Sequence, residues 1–208
     1  PKVIQLDQNR VDLVFEISEG PKTKVTRINF IGNKRFSDGD LRGKIVTREA
    51  KWWRFLTSND TYDPDRSAYD NEQLRQFYLS RGYADFRVVS SVAELTQDKK
   101  HFFITITVEE GEVYKFGEIN VESQIRDLKV ADLTPLIKTE EGKTYNAKQI
   151  DDTIEEMTDV AGLKGYAFID IRPNVKRERK NRIINITYRV LEAPRVYVEK
   201  INIHGNAA

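Results

Sequence analysis

The 208-residue chain has no cysteine, one methionine, two histidines and two tryptophans. Without cysteine there is neither a disulfide nor a thiolate metal site, although that absence does not separate cytoplasm from periplasm. His101 and His204 stand far apart with no flanking ligand pattern, so no metal centre is expected. No apolar run approaches the roughly 20 residues that a membrane-spanning helix needs, and no signal peptide is visible. Lys and Arg number 34 against 33 Asp and Glu, a net charge of +1. That balance lacks the concentrated basic face on which counterion-driven nucleic-acid binding depends. There is no P-loop, dinucleotide fingerprint or nucleophile elbow. Asp151-Asp152 and Glu155-Glu156 decorate a helix with its own apolar stripe, which suits a wetted surface better than acid–base chemistry. Neither an enzyme nor a cofactor is expected. With 32% charged and 39% hydrophobic residues, the composition fits small cores under a large solvated surface.

What the chain does have is a repeat. Ile17-Ser18-Glu19-Gly20-Pro21 leads to Arg27-Ile28-Asn29-Phe30-Ile31-Gly32-Asn33. Val108-Glu109-Glu110-Gly111 leads to Glu118-Ile119-Asn120-Val121, and Val190-Leu191-Glu192-Ala193-Pro194 leads to Lys200-Ile201-Asn202-Ile203-His204-Gly205-Asn206. Tyr62 and Arg81-Gly82-Tyr83-Ala84 recur 83 residues on as Tyr145 and Lys164-Gly165-Tyr166-Ala167. A period of this length is too long for a helical solenoid and suits a row of small domains. Two complete units are expected, with the chain starting inside one further unit and stopping inside another, as a piece of a longer protein would.

Each unit reads β-α-α-β-β. In the first, Lys24 to Ile31 alternates as a strand and Ser37 is a candidate N-cap for a short helix carrying Leu41 and Ile45. Asp63-Pro64 opens a second helix whose Leu74, Phe77 and Tyr78 form a stripe, with Gly82 as its left-handed exit. Phe86 to Leu95, a polar turn, and the alternating Phe102, Ile104, Ile106 and Val108 form a hairpin. The second unit repeats the plan: a strand near 116–121, a helix around Leu133 to Ile137, a helix from about Asn146 to Gly162 with Ile150, Ile154, Met157 and Ala161 on one stripe, and strands near 168–176 and 182–191. The expected fold class is α+β, in tandem modules that each have a three-stranded mixed sheet covered on one face by two helices.

An exposed edge of such a sheet offers N–H and C=O groups to another extended chain, and those bonds do not depend on the guest's sequence. In this order of elements the hairpin's first strand is the expected free edge. That nominates Phe86, Val88, Val89, Ser90, Val92 and Leu95 as a binding edge, with Phe168, Ile169 and Ile171 as weaker counterparts, although period-two alternation turns half of these side chains toward the domain's own helices. Proline at Val89 or Ser90, whichever points its N–H outward, is expected to weaken guest binding alone. Trp52 and Trp53 are a candidate partner anchor, with loop sealing as the alternative. The basic run from Lys176 to Arg182 reads as a solvated hairpin turn, with contact to anionic lipid or nucleic acid as the alternative.

The order of elements, the Arg-Gly-Tyr or Lys-Gly-Tyr at the helix end and the strand-final Glu-Gly resemble the POTRA (polypeptide-transport-associated) domains of the BamA family of outer-membrane-protein assembly factors. Trp52-Trp53, Tyr78 to Ala84 and Leu95 to Lys100 look like the third of five such domains; Tyr145-Asn146 and Gly165-Tyr166-Ala167 look like the fourth. On that register residues 1–20 are the final hairpin of a preceding domain, 21–111 and 112–193 the two complete domains, and 194–208 the first strand of a following one. The Gly162-Leu163-Lys164-Gly165 helix end departs from the pattern of the first unit. The resemblance implies a periplasmic arm on an outer-membrane β-barrel, which receives unfolded outer-membrane proteins, docks accessory lipoproteins and catalyses no reaction. The alternatives are a POTRA pair from another barrel transporter, as in two-partner secretion or organelle import, and an RNA-binding α/β module, which would need exposed aromatics on a sheet face within a basic surround.

Overall fold

The structure, a computed structural model, describes residues 2–6, 10–14, 23–51, 60–166 and 168–193. A two-stranded antiparallel hairpin, β1 (Lys2–Leu6) and β2 (Arg10–Val14), comes first. The first module follows as β3 (Lys24–Ile31), α1 (Asp38–Lys44), α2 (Pro64–Leu79), β4 (Arg87–Leu95) and β5 (His101–Glu109). The second is β6 (Lys115–Ser123), α3 (Val130–Leu133), α4 (Ala147–Leu163), β7 (Ile169–Glu178) and β8 (Ile183–Glu192). The expected first strand of a following domain at 194–208 and Trp52-Trp53 lie outside the described residues.

Local chemistry sets the helix ends. Ser37 and Asp40 form a reciprocal capping box at α1, which satisfies two amides that a helix start otherwise leaves unpaired. Asp63 accepts from the amides of Asp65 and Arg66 ahead of Pro64, and Asn146 accepts from that of Lys148. The short helix of the second module differs from expectation. It stops at Leu133 and continues as a single 3-10 turn over Thr134–Leu136, because Pro135 has no amide to carry α-helical bonding. Ile137 therefore lies beyond it.

Each module is a three-stranded mixed sheet. The closing strand is central, the opening strand pairs parallel with it and the hairpin's first strand antiparallel, in the orders β3-β5-β4 and β6-β8-β7. Val25, Ile28 and Phe30 from β3, Ile104, Ile106 and Val108 from β5, Leu41 and Ile45 from the α1 region, and Leu74, Phe77 and Tyr78 from α2 share one core. Each large apolar side chain so buried contributes about 1.5–3 kcal/mol. Ile150, Met157 and Ala161 do the same in the second module against Ile184, Ile186, Tyr188 and Val190.

Candidate strand-binding edge and the module joint

A three-stranded sheet has two edges, and in the first module one of them is closed by the chain itself. The alternation of main-chain groups turns Val25 and Ile28 of β3 away from β5. The Val25 amide donates to Asp60 O at 2.7 Å, and Val25 O accepts from the Ala50 amide at 2.7 Å. The Ile28 amide donates to Glu49 Oε1 at 3.0 Å, while Ile28 O accepts from Arg42 Nη1 at 2.9 Å. Asp70, buried in α2, fixes the covering segment by accepting from the amides of Val46 and Thr47. The second module repeats the device: Phe116 donates its amide to Lys143 O and accepts from that of Gly142, each at 2.8 Å. The outer edges left are β4 and β7.

On β4 the register identifies the outward groups. The Thr96 amide donates to His101 O at 2.9 Å, so stepping back by twos turns Glu94, Val92 and Ser90 toward β5 and leaves Ser91, Ala93 and Leu95 facing out. The pairing slips by one residue between Val88 and Ser90, a β-bulge at Val89. The amides open to a guest are thus those of Ser91 and Ala93, not those of Val89 or Ser90. The nominated side chains divide. Val89, Ser90, Val92 and Leu95 are exposed and Val88 is half-buried. Phe86 precedes the strand and is a core residue, stacked on Tyr78 with ring centroids 4.0 Å apart. In the second module Phe168 is exposed, Ile169 packs against the core and Ile171 is buried within it.

Beside β4 runs a groove of about 580 Å³, lined by Ala68, Asn71, Glu72 and Arg75 of α2 and by residues 86–91. One end is bridged by the hydroxyls of Ser67 and Ser91, 3.3 Å apart. No sequence motif announces this wall, because Ser67, Asn71 and Arg75 are ordinary surface residue types whose i, i+4 spacing acquires meaning only beside the strand. Among the described residues no group of three or more His, Asp or Glu could hold a metal ion.

A second cluster joins the modules. Gly82 leaves α2 with φ +97°, and its carbonyl accepts from the Tyr114 amide at 2.8 Å. A Cβ added at Gly82 would stand 2.8 Å from Thr144 Cγ2 and 2.9 Å from Val113 Cγ1, so glycine is required there by both conformation and space. Tyr114 donates its hydroxyl to Asp85 Oδ2 at 2.5 Å, and burial together with that bond pushes its pKa above the ordinary tyrosine value. Next to this joint, the buried Glu110 accepts from Tyr78 Oη at 2.8 Å and from the Arg35 amide at 3.1 Å. Burial first, and then Glu110, raises the Tyr78 pKa. The strand-final Glu-Gly of the first module is therefore a buried acid that fastens the loop before α1 to α2 at the end of β5, followed by the turn into the next module.

Two tandem β-α-α-β-β modules, sharing a glycine-tyrosine joint and each keeping one hairpin edge outermost, define a class of small tandem α+β domain. The chain belongs to the POTRA family, described as a surface antigen variable number repeat, which matches it twice, over residues 23–111 and 114–193. It is 31% identical over 206 residues to the outer membrane protein assembly factor BamA of Neisseria meningitidis serogroup B, covering 99% of this chain and 26% of that protein. To the BamA of Neorickettsia risticii it is 25% identical over 205 residues, covering 99% of this chain and 27% of the relative. The chain thus spans about a quarter of the length of these relatives. The crystal structure of POTRA domains 3–5 of Haemophilus influenzae BamA shares the fold with a TM-score of 0.72 at 22% identity, covering 90% of this chain and 73% of that one.

Proposed function

We propose that this chain is part of the periplasmic arm of an outer-membrane-protein assembly factor, and that its first module holds extended client proteins by adding them as a fourth strand at β4. The observation that carries the proposal is the contrast between edges: β3 is closed by residues 42, 49, 50 and 60 of its own chain, whereas β4 turns Ser91, Ala93 and Leu95 outward, with a groove at the Ser91 end. Main-chain bonding is indifferent to guest sequence, which suits clients that share a strand-forming habit and little else. The relatives, named as outer membrane protein assembly factors, supply the client class. On this proposal residues 1–20 and 194–208 belong to preceding and following modules, a C-terminal barrel continues the protein into the outer membrane, and accessory lipoproteins dock on the arm. The function is binding, not catalysis.

An NMR titration with a peptide from an unfolded outer-membrane protein tests this. Shifts concentrated in residues 88–95 and along the α2 wall are expected. Shifts confined to α4 and the second module would overturn the assignment.

A further inference from the structure

The two modules are one unit built twice, and around the free edge three matching positions differ in chemistry. Asp63 and Asn146 cap the long helices, and Gly82 and Gly165 follow their ends, each pair 83 residues apart. Ser67 therefore corresponds to Ile150 and Asn71 to Ile154. On the edge strands, Ser91 lies opposite Ile106 and Pro173 opposite Tyr188. Ile106 and Tyr188 each stand two residues before the last core valine of their strand, Val108 or Val190, so Ser91 and Pro173 occupy the same place.

In the second module these positions are apolar or lack an amide, which blunts the edge without covering it. Ile150 is buried and Ile154 packs against the core. The Ala193 amide donates to Phe168 O at 3.0 Å, which places Pro173 among the outward positions of β7, where it has no N–H to offer. A proline there blunts a strand edge against pairing. In the first module the same three positions are polar. Ser91 keeps its outward amide, and its hydroxyl meets that of Ser67. Asn71 Oδ1 is the one buried side-chain nitrogen or oxygen among the described residues that has no hydrogen-bond partner. Asn71 sits in the interior of the sixteen-residue α2, where asparagine is a poor helix former, and an unmade bond to a buried oxygen is costly. It lines the groove whose floor carries the Val89 bulge.

We infer that this groove is a side-chain subsite for the guest strand and that Asn71 determines its specificity. A strand paired along Ser91 to Leu95 turns alternate side chains toward α2, and the one at its Ser91 end, where the groove opens, is chosen for a hydroxyl, threonine or serine, that donates to Asn71 Oδ1. The broad torsion of a carboxamide lets the oxygen swing to meet it. A hydroxyl fits because it both donates and accepts, so it can also take a bond from the Ser67–Ser91 pair, and threonine is at home in a strand. The inference rests on the edge reading proposed above and names what that edge selects.

The test uses the 208-residue chain and two peptides of about ten residues with the alternating pattern of outer-membrane strands, identical except that one carries threonine and the other valine at alternate positions. Calorimetry should find the threonine peptide bound about fivefold more tightly, one net hydrogen bond's worth. Asn71→Leu should remove that preference, so that the threonine peptide no longer binds more tightly than the valine peptide, with Asn71→Ala as the second variant if the leucine disturbs the helix. Ala93→Pro should abolish binding of both peptides. A preference that survives in a folded Asn71 variant, or that is missing from the wild type, overturns the inference while the edge reading stands. If the wild type binds neither peptide, or if Ala93→Pro changes nothing, the edge reading falls and takes the subsite with it.

Discussion

Arg177 Nη1 lies 2.6 Å from Asp85 Oδ1, which ties the tip end of the β7–β8 hairpin to the turn between α2 and β4 of the first module. Arg177 also stands over the Tyr114 ring, 5.8 Å from its centroid, and Arg179 reaches to 4.0 Å from the same carboxylate. Arg182 pairs with Glu112 at 3.3 Å. The basic run is an exposed hairpin turn, as its composition suggests, and its Arg177 in addition reaches across the joint. Asp85 is the shared acceptor of a phenol and a guanidinium from the following module. Replacing it with alanine should destabilise the pair of modules by about 1–2 kcal/mol, chiefly through the bond to the Tyr114 hydroxyl, since the half-exposed ion pair adds at most about 1 kcal/mol. Spin labels placed one on each module should report a broader distance distribution in Asp85→Ala than in the wild type. Equal widths would remove Asp85 from the joint.

Proline scanning along β4 separates edge from ladder. Ser91→Pro and Ala93→Pro delete amides that face outward, so each variant should keep its melting temperature within a few degrees while losing guest binding. Val92→Pro deletes an amide that faces β5 and should destabilise the module by about 1–3 kcal/mol through the ladder acceptor left unpaired. Thermal denaturation alongside peptide titration checks both arms. Matching stability losses at 92 and 93 would contradict the register.

Gly82 and Gly165 both adopt positive φ, +97° and +93°, yet an added Cβ meets Thr144 and Val113 at the first and, among the described residues, nothing within 4 Å at the second. Alanine at either position costs about 1–2 kcal/mol for the left-handed backbone. Gly82→Ala should cost a further 1–3 kcal/mol or so for overpacking. Chemical denaturation of the two variants measures the difference, and equal losses would mean that the joint yields freely.

Alkali should unfold the protein through its buried phenols. Burial raises the pKa of Tyr78, Tyr114, Tyr145 and Tyr188, and the bonds to Glu110 and Asp85 add to it in the first two. A folded-state pKa above the unfolded value, about 10, contributes stability that is fully present below pH 10 or so and is lost as pH rises through the folded values. Tyrosinate absorbance should therefore rise first from the exposed phenols, then in a second step that coincides with loss of the circular-dichroism signal. A single step at ordinary pKa with the fold intact would contradict it.

The sequence made the module plan legible because each local signal agreed with the global fold. Ser37, Asp63-Pro64 and Gly82 mark helix ends by backbone chemistry alone, and the alternation from Phe102 to Val108 fixes which face of β5 is buried. The uncovered edge followed from the order of elements. Asn71 was silent, since its meaning depends on a strand some twenty residues away. Pro173 was visible, but its importance depends on main-chain parity, which a one-residue bulge reverses and which sequence does not display. Asp85 and Arg177, 92 residues apart, meet only because the second module docks where the first one ends.

The opening and closing strands of each module lie side by side and run parallel, so the polypeptide enters a module at one pole and leaves at the other. Tension drawn along the chain would load neighbouring strands in shear, with their ladder of hydrogen bonds sharing the force at once, where an antiparallel pair at the same termini would peel open one bond at a time. A row of such modules resists stretching as a chain of shear joints.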